Sequence, residues 1–195
     1  MEKSSDGLVL GLFCLFLLGL AAVFGTGAVK GVGIPSSANL LQSGPPATGN
    51  SIVGGPSLSA AKIDTILSNA GSPAQGTGQT FYNDSAQYGI DDAVALAFFH
   101  HESTYGLYGA ASQTHSIGNI VCTDGYSCIG RFRAYSSWQA GIDDWYQLIK
   151  NVYVDSWHCS TVEAVIPHYA PNSDGNSESS YIAAVESDVS VWRTA

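Results

Sequence analysis

The sequence predicts a mainly α domain of the α+β kind, with one small β-hairpin, preceded by a single transmembrane helix and a flexible linker. Three observations carry that expectation. An uncharged run of 23 residues spans Gly7 to Val29. A stretch rich in Gly, Pro and Ser follows it without periodicity. Beyond residue 57, apolar residues recur at helical spacing in segment after segment, interrupted once by a cysteine-bracketed turn region.

Residues 1–7 read as a short polar tail and 8–29 as the membrane segment. At about 1.5 Å per residue, the uncharged stretch is long enough to cross a hydrocarbon core of about 30 Å. A cleavable signal peptide needs a basic leader and a shorter apolar core. Here Lys3 is offset by Glu2 and Asp6, so an uncleaved single-pass anchor is expected, with the C-terminal domain extracytoplasmic. Thr26-Gly-Ala28 resembles a weak cleavage site and leaves a secreted product open. Lys3 and Lys30 flank the span evenly, so charge bias does not set its orientation.

Residues 30–56 comprise 27 positions, of which 6 are Gly, 4 Pro and 4 Ser. As a flexible coil they would hold the next domain about 30 Å from the membrane on average. The net charge of −9 lies entirely beyond them, because residues 57–195 carry 14 acids against Lys62, Arg131, Arg133, Lys150 and Arg193. Nucleic acid and anionic lipid need clustered positive charge, so neither is expected as the main ligand.

Within 57–195, Leu58 to Asn69 reads as a first helix, ended by Gly71 and Pro73. Gln79 to Tyr88 reads as a second, ended by Gly89. The third opens on Asp91 as N-cap and runs through Ala93-Val-Ala-Leu-Ala-Phe-Phe-His-His-Glu102. Ile117 to Phe132 looks like the hairpin, turning at Asp124-Gly125. Trp138 to Val152 is the most amphipathic helix, with Trp138, Ile142, Trp145, Tyr146, Ile149 and Val152 on one side. Ser160-Thr-Val-Glu163 forms a capping box for a short helix stopped by Pro167. Ser177 caps the last helix, whose Tyr181, Ile182, Val185, Val189 and Trp192 face the core.

Cys122 and Cys128 bracket five residues, a spacing that suits a disulfide across opposing strands. Zinc is the rival reading, but no second CxxC or His-x₃₋₅-His pair accompanies them. Cys159 is left over, as a small buried hydrophobe or a free thiol.

Glu102 is the residue most suggestive of chemistry. Three and four positions before it stand Phe99 and Phe98, so the acid shares the apolar side of its helix. Aromatic surroundings and the negative end of the helix dipole both raise a carboxyl pKa. Such a group keeps its proton near neutral pH and can pass it to a leaving oxygen. An ordinary Glu turned towards solvent at a helix end fits the same spacing.

The stretch Ala95-Leu-Ala-Phe-Phe-His-His-Glu-Ser-Thr-Tyr-Gly106 resembles the catalytic motif of lysozyme-like peptidoglycan hydrolases. The best match is glycoside hydrolase family 73, the endo-β-N-acetylglucosaminidases that include flagellar-type muramidases. Three more blocks follow in that family's order: Ser116-Ile-Gly-Asn-Ile120, the run from Gly130-Arg-Phe-Arg-Ala-Tyr135 to Tyr146, and Ile166-Pro-His-Tyr-Ala-Pro171 with Tyr181. The resemblance covers about residues 57–195. It implies a lysozyme-like helical lobe, with Glu102 at the bottom of a cleft and the hairpin as its other wall. Glu102 would be the general acid and Tyr169 would lie near the −1 sugar, unless Tyr169 is a core hydroxyl. Ser103, Tyr105, Ser116, Asn119, Tyr135 and Tyr181 would order or bind the substrate.

One departure matters. Glycosidases usually use two carboxylates, and between Glu102 and Asp143 the only other acid is Asp124. Asp124 is either the water-activating base or simply the Asp that an Asp-Gly turn selects. If it is structural, the substrate's own N-acetyl group or its muramyl 6-hydroxyl would attack, the latter giving anhydro products as in lytic transglycosylases. No cofactor is expected. His100 and His101 precede the acid without an HExxH pattern, so no metal is expected there. The expected partners are peptidoglycan glycan strands, plus the membrane through residues 8–29. A non-catalytic wall-binding protein, assembled in an envelope complex or a virion, is the competing class.

Overall fold

The computed structural model describes residues 50–194. Its described part is mainly helical, with one two-stranded antiparallel hairpin. In chain order the elements are α1 (Ala60–Asn69), α2 (Gly78–Tyr88), α3 (Asp92–Ser103), α4 (Ala111–Thr114), β1 (Cys128–Ile129) and β2 (Phe132–Arg133). They continue with α5 (Trp138–Leu148), a π-helical turn at Ile149–Ser156, α6 (Val162–Tyr169), a 3₁₀ turn at Asn172–Asp174 and α7 (Glu178–Thr194).

The middle of the fold is α3. Asp91 caps it as expected, its side chain accepting from the amides of Ala93 and Val94. Every residue from Asp92 to Phe99 is buried. A helix apolar all round belongs inside a core, and α3 packs mainly against α7 on one side and α2 on another. Around its last turns the aromatics interlock. Phe98 lies 5.1 Å from the Tyr169 ring, 5.3 Å from Trp145 and 5.4 Å from Tyr181. Phe99 meets Trp138 at 5.3 Å. Offset and edge-on contacts of this kind add about 0.5–1.5 kcal/mol each beyond their buried area.

The expected elements shift in four places. The strands turn at Gly130-Arg131, not at Asp124-Gly125, with Ile129 opposite Phe132 and Cys128 opposite Arg133. Asp124 and Gly125 instead sit at the tip of the loop that precedes β1. The segment before that loop lies along the other edge of β2. There the Cys122 amide donates to the Arg131 carbonyl and the Arg133 amide to the Ile120 carbonyl, both at 2.8 Å. The Cys122–Cys128 disulfide closes the loop, with Cα atoms 5.9 Å apart. Cys159 is a buried free thiol.

The second shift is in α5, which stops being α-helical at Leu148 and continues as a π-helix. The third is in α6, which Thr161 caps rather than Ser160, and which runs past Pro167 to Tyr169. Pro167 and Glu163, whose carbonyl the proline cannot serve, are both exposed, which fits a proline tolerated on the outer side of a helix. The fourth shift is at the linker's end, where the chain already belongs to the domain. Ile52 is buried, its amide donates to Ser160 O and its carbonyl accepts from Asp91 N.

The expected membrane-anchored localisation is corrected here. Among the described residues no helix is long and apolar enough to cross a membrane. The longest, α7, has 17 residues and carries Glu178, Glu186, Asp188 and Arg193. Residues 1–7 and 8–29, on which the anchor was inferred, and most of 30–56 lie outside the described residues.

Candidate functional site

The helix that carries Glu102 ends one residue later, and abruptly. Thr104 and Tyr105 both adopt left-handed backbone, at φ 51° and 57°. Their amides return to the His100 and Phe99 carbonyls at 2.8 and 3.2 Å, a Schellman closure. The Ser103 hydroxyl donates to Phe99 O and accepts from Gly106 N at 2.9 Å. Ser103 therefore builds the turn and is buried outside the residues that line the cleft. Gly106 cannot be larger, because a Cβ there would stand 2.4 Å from the Trp138 ring. The Glu-Ser-Thr-Tyr-Gly run is a helix stop that leaves the acid in the last turn.

Two donors then hold the carboxyl. The Tyr181 hydroxyl donates to Glu102 Oε1 at 2.8 Å, and Asn119 Nδ2 to Oε2 at 3.0 Å. Asn119 itself sits in left-handed backbone, φ 45°, in the loop after α4. Ser116 ties that loop down, its buried hydroxyl accepting from the Ile120 amide at 3.1 Å. Burial pushes the Glu102 carboxyl up to about 7, although both donors pull the other way. Desolvation outweighs two hydrogen bonds because neither donor is charged.

Glu102, Gly118 and Asn119 line a cleft of about 120 Å³. One wall is the hairpin side, with Val121, Thr123 and Arg133. The other is the end of α5 and the π-helix, with Leu148, Val152, Tyr153 and Trp157. Tyr169 also lines it, but its hydroxyl is committed. It donates to Gly118 O at 2.6 Å and accepts from Trp145 Nε1 at 3.3 Å. Burial first, then the nearby Glu102 charge, hold that phenol well above its ordinary value. A larger cavity of about 320 Å³ lies elsewhere, between α3, α6 and α7, with Val94, Val162, Val185 and Val189 among the residues that line it. Size does not pick out the site; the held carboxyl does.

Glu102, Asn119, Tyr169 and Tyr181 thus converge. The others do not join them. Asp124 is exposed at the loop tip, outside the cleft lining. The Tyr105 ring stacks on His100, centroids 4.5 Å apart, and edges onto Phe99. Tyr135 donates to Asp144, which also receives Arg133 at 2.9 Å; it ties the hairpin to α5 instead of facing the cleft. His100 pairs with Asp188. His101 packs on the Tyr181 ring at 3.8 Å, one step behind the acid.

Several participants carry no mark of their own in the sequence. Gly118 is one, since a Cβ there would lie 2.2 Å from the Tyr169 hydroxyl and 2.4 Å from Trp145. Only glycine lets the two rings reach the loop. Trp157 and Tyr153 are others, placed by the π-helix. Among the described residues, no group of three or more His, Cys, Asp or Glu side chains could hold a metal ion. What the arrangement offers is a proton held near neutral pH in a mostly apolar groove that carries Thr123 and Arg133 from the hairpin side and Tyr153 and Trp157 from the π-helical side.

No family model and no curated protein matches this chain.

Proposed function

We propose that this chain is a peptidoglycan glycan-strand hydrolase of the endo-β-N-acetylglucosaminidase type, with Glu102 as the general acid. The observation that carries the reading is the Glu102 carboxyl in the lining of a cleft, fixed by Tyr181 and Asn119 and raised to about 7. A protonated carboxyl at that pH is what departure of a sugar alkoxide requires. The resemblance of residues 57–195 to lysozyme-like hydrolases supports the substrate class.

Among the described residues that line the cleft, Glu102 is the only carboxylate, which bears on how the anomeric carbon is attacked. With Asp124 at an exposed tip, the nucleophile in this reading comes from the substrate. In the N-acetylglucosaminidase reading it is the 2-acetamido oxygen. The same single carboxylate favours a second reading, a lytic transglycosylase in which the muramyl 6-hydroxyl attacks.

Zymography on cell-wall gels tests the class: clearing by the wild type and none by Glu102→Gln is the expected pair. Clearing that survives Glu102→Gln overturns the general-acid role. Mass spectrometry of the released muropeptides separates the two chemistries, since new reducing N-acetylglucosamine ends and anhydromuramyl ends differ in mass. A wild type that binds walls but never cuts them would instead place the chain among non-catalytic wall-binding proteins.

A further inference from the structure

The wall opposite the hairpin has a geometry that an ordinary α-helix cannot supply. Leu148, Val152, Tyr153 and Trp157 all line the Glu102 cleft. Their spacings are four, one and four residues. At 3.6 residues per turn, the nine positions from Leu148 to Trp157 make about two and a half turns, which would put the two side chains on opposite faces. The segment between them, Ile149–Ser156, is π-helical. With i→i+5 bonding, residues four and five apart share a face, so all four side chains come round to the cleft. The ladder closes in the same register, the Trp157 amide donating to Val152 O at 3.0 Å.

What this geometry delivers is an indole at the cleft's edge. Trp157 is half-buried, and its ring is held on two sides, edge-on by Tyr153 at 5.0 Å and by His168 at 5.3 Å. A fixed aromatic plane in a groove that is mostly apolar, with a few polar side chains, matches the two-sided chemistry of a pyranose, whose C–H face is apolar and whose rim carries hydroxyls. Arg133 and Thr123 also line the cleft; Arg133 is held by Asp144 at 2.9 Å and donates to the Thr123 hydroxyl at 3.2 Å, and the proton of that hydroxyl is the polar contact such a rim would meet. π-helical turns concentrate at functional sites, which is where this one lies.

We propose that Trp157 is the stacking platform of a glycan subsite, turned into the cleft by the π-helical segment Ile149–Ser156. The ligand class is a β-linked N-acetylhexosamine chain lying with one sugar's C–H face on the indole. The proposal rests on the glycosidase reading above and adds to it a residue with no role in the chemical step.

The test uses the full chain carrying Glu102→Gln, so that ligand binds without being cut, and tetra-N-acetylchitotetraose as probe. Calorimetric titration is expected to show Trp157→Ala weakening binding by about tenfold or more, with Trp157→Phe losing less. The indole N–H resonance of Trp157 is expected to shift on titration, while that of Trp138, buried and outside the cleft lining, stays put. Equal affinity in all three proteins, or an unmoved Trp157 resonance while tetrasaccharide binds, overturns the platform and leaves the Glu102 chemistry standing. Should Trp157→Ala fail to fold, the resonance and the Phe variant decide alone. A wild type that neither clears cell walls nor binds the tetrasaccharide removes both readings together.

Discussion

Glu102 and Asp84 are two carboxylic acids that burial pushes up to about 7 in the same small domain, and they lead to opposite conclusions. Asp84 lies on α2 where that helix packs against α5. Desolvation raises it first and the charge of Asp143 adds to the rise. Its Oδ2 is buried without a hydrogen-bond partner, while Asp143 takes the donors nearby, Tyr88 at 2.7 Å and Gln147 at 2.6 Å. Glu102 has a donor on each oxygen and lines a cleft. A raised pKa therefore does not mark a working acid by itself. Access for a ligand and two fixed donors separate the one from the other.

The largest expected effect tests that separation directly. Glu102→Gln should cost about 10²–10⁴-fold in wall-clearing rate, the usual worth of a positioned proton donor. Asp84→Asn should leave the rate within a factor of about two if stability alone is touched. Equal losses, read in a turbidity assay on purified walls, would erase the distinction.

Next comes Gly118, where one methyl group would meet both Tyr169 and Trp145. Gly118→Ala should lower stability by about 1–3 kcal/mol, in line with overpacking elsewhere, and should reduce activity with it. Urea denaturation measures the first part. A neutral result would mean that the Tyr169 hydroxyl can leave the Gly118 carbonyl freely, making it less fixed than its hydrogen bonds imply.

Asp84→Asn has a signed and smaller consequence. A carboxyl whose pKa is raised on folding binds more protons folded than unfolded, so stability falls as pH rises from about 4 to 7. Removing the ionisable group removes that penalty. At pH 8 the variant should be more stable, by about 1 kcal/mol after allowance for partial solvation, and the gain should vanish near pH 4. Melting temperature against pH follows it. Asp92, also raised to about 6 by burial, works the same way but accepts from the Ser57 and Leu58 amides, so the gain from Asp92→Asn is partly offset by weakening those bonds.

The smallest effect concerns Tyr181. Its hydroxyl favours the ionised form of Glu102, so Tyr181→Phe should raise the Glu102 pKa and move the alkaline limb of kcat/KM upward. The wild-type limb itself should fall through about pH 7, as the acid loses its proton. A limb moving downward in Tyr181→Phe would mean that the tyrosine acts through something other than that hydrogen bond.

How much of this was legible from residues alone depends on which physical signal a feature leaves. The Asp91 cap, the Cys122–Cys128 pair and the Phe98–Phe99–Glu102 arrangement all follow from local spacing, and local spacing is what a sequence displays. The turn at Gly130-Arg131 was obscured by Asp124-Gly125, a stronger hairpin signal put to use in a disulfide-closed loop. The π-helix left no signal, because Trp138 to Ile149 keeps a 3.6-residue rhythm up to the point where the ladder widens. In sequence Pro167 reads as a stop, because the exposure of Glu163 depends on tertiary context. Asp84 leaves a local signal too: it stands three after Phe81 and four before Tyr88, on the apolar side of its helix.

The entry point of the described chain has a mechanical consequence. Asn50 to Val53 is clamped laterally, Val162 N donating to Asn50 O, Ile52 N to Ser160 O and Asp91 N to Ile52 O. Two of those bonds reach Ser160 and Val162 at the start of α6, and the third reaches Asp91 at the start of α3, about 15 Å of helix from Glu102. One short run of backbone thus braces the helix that carries Glu102 against the segment that follows Trp157.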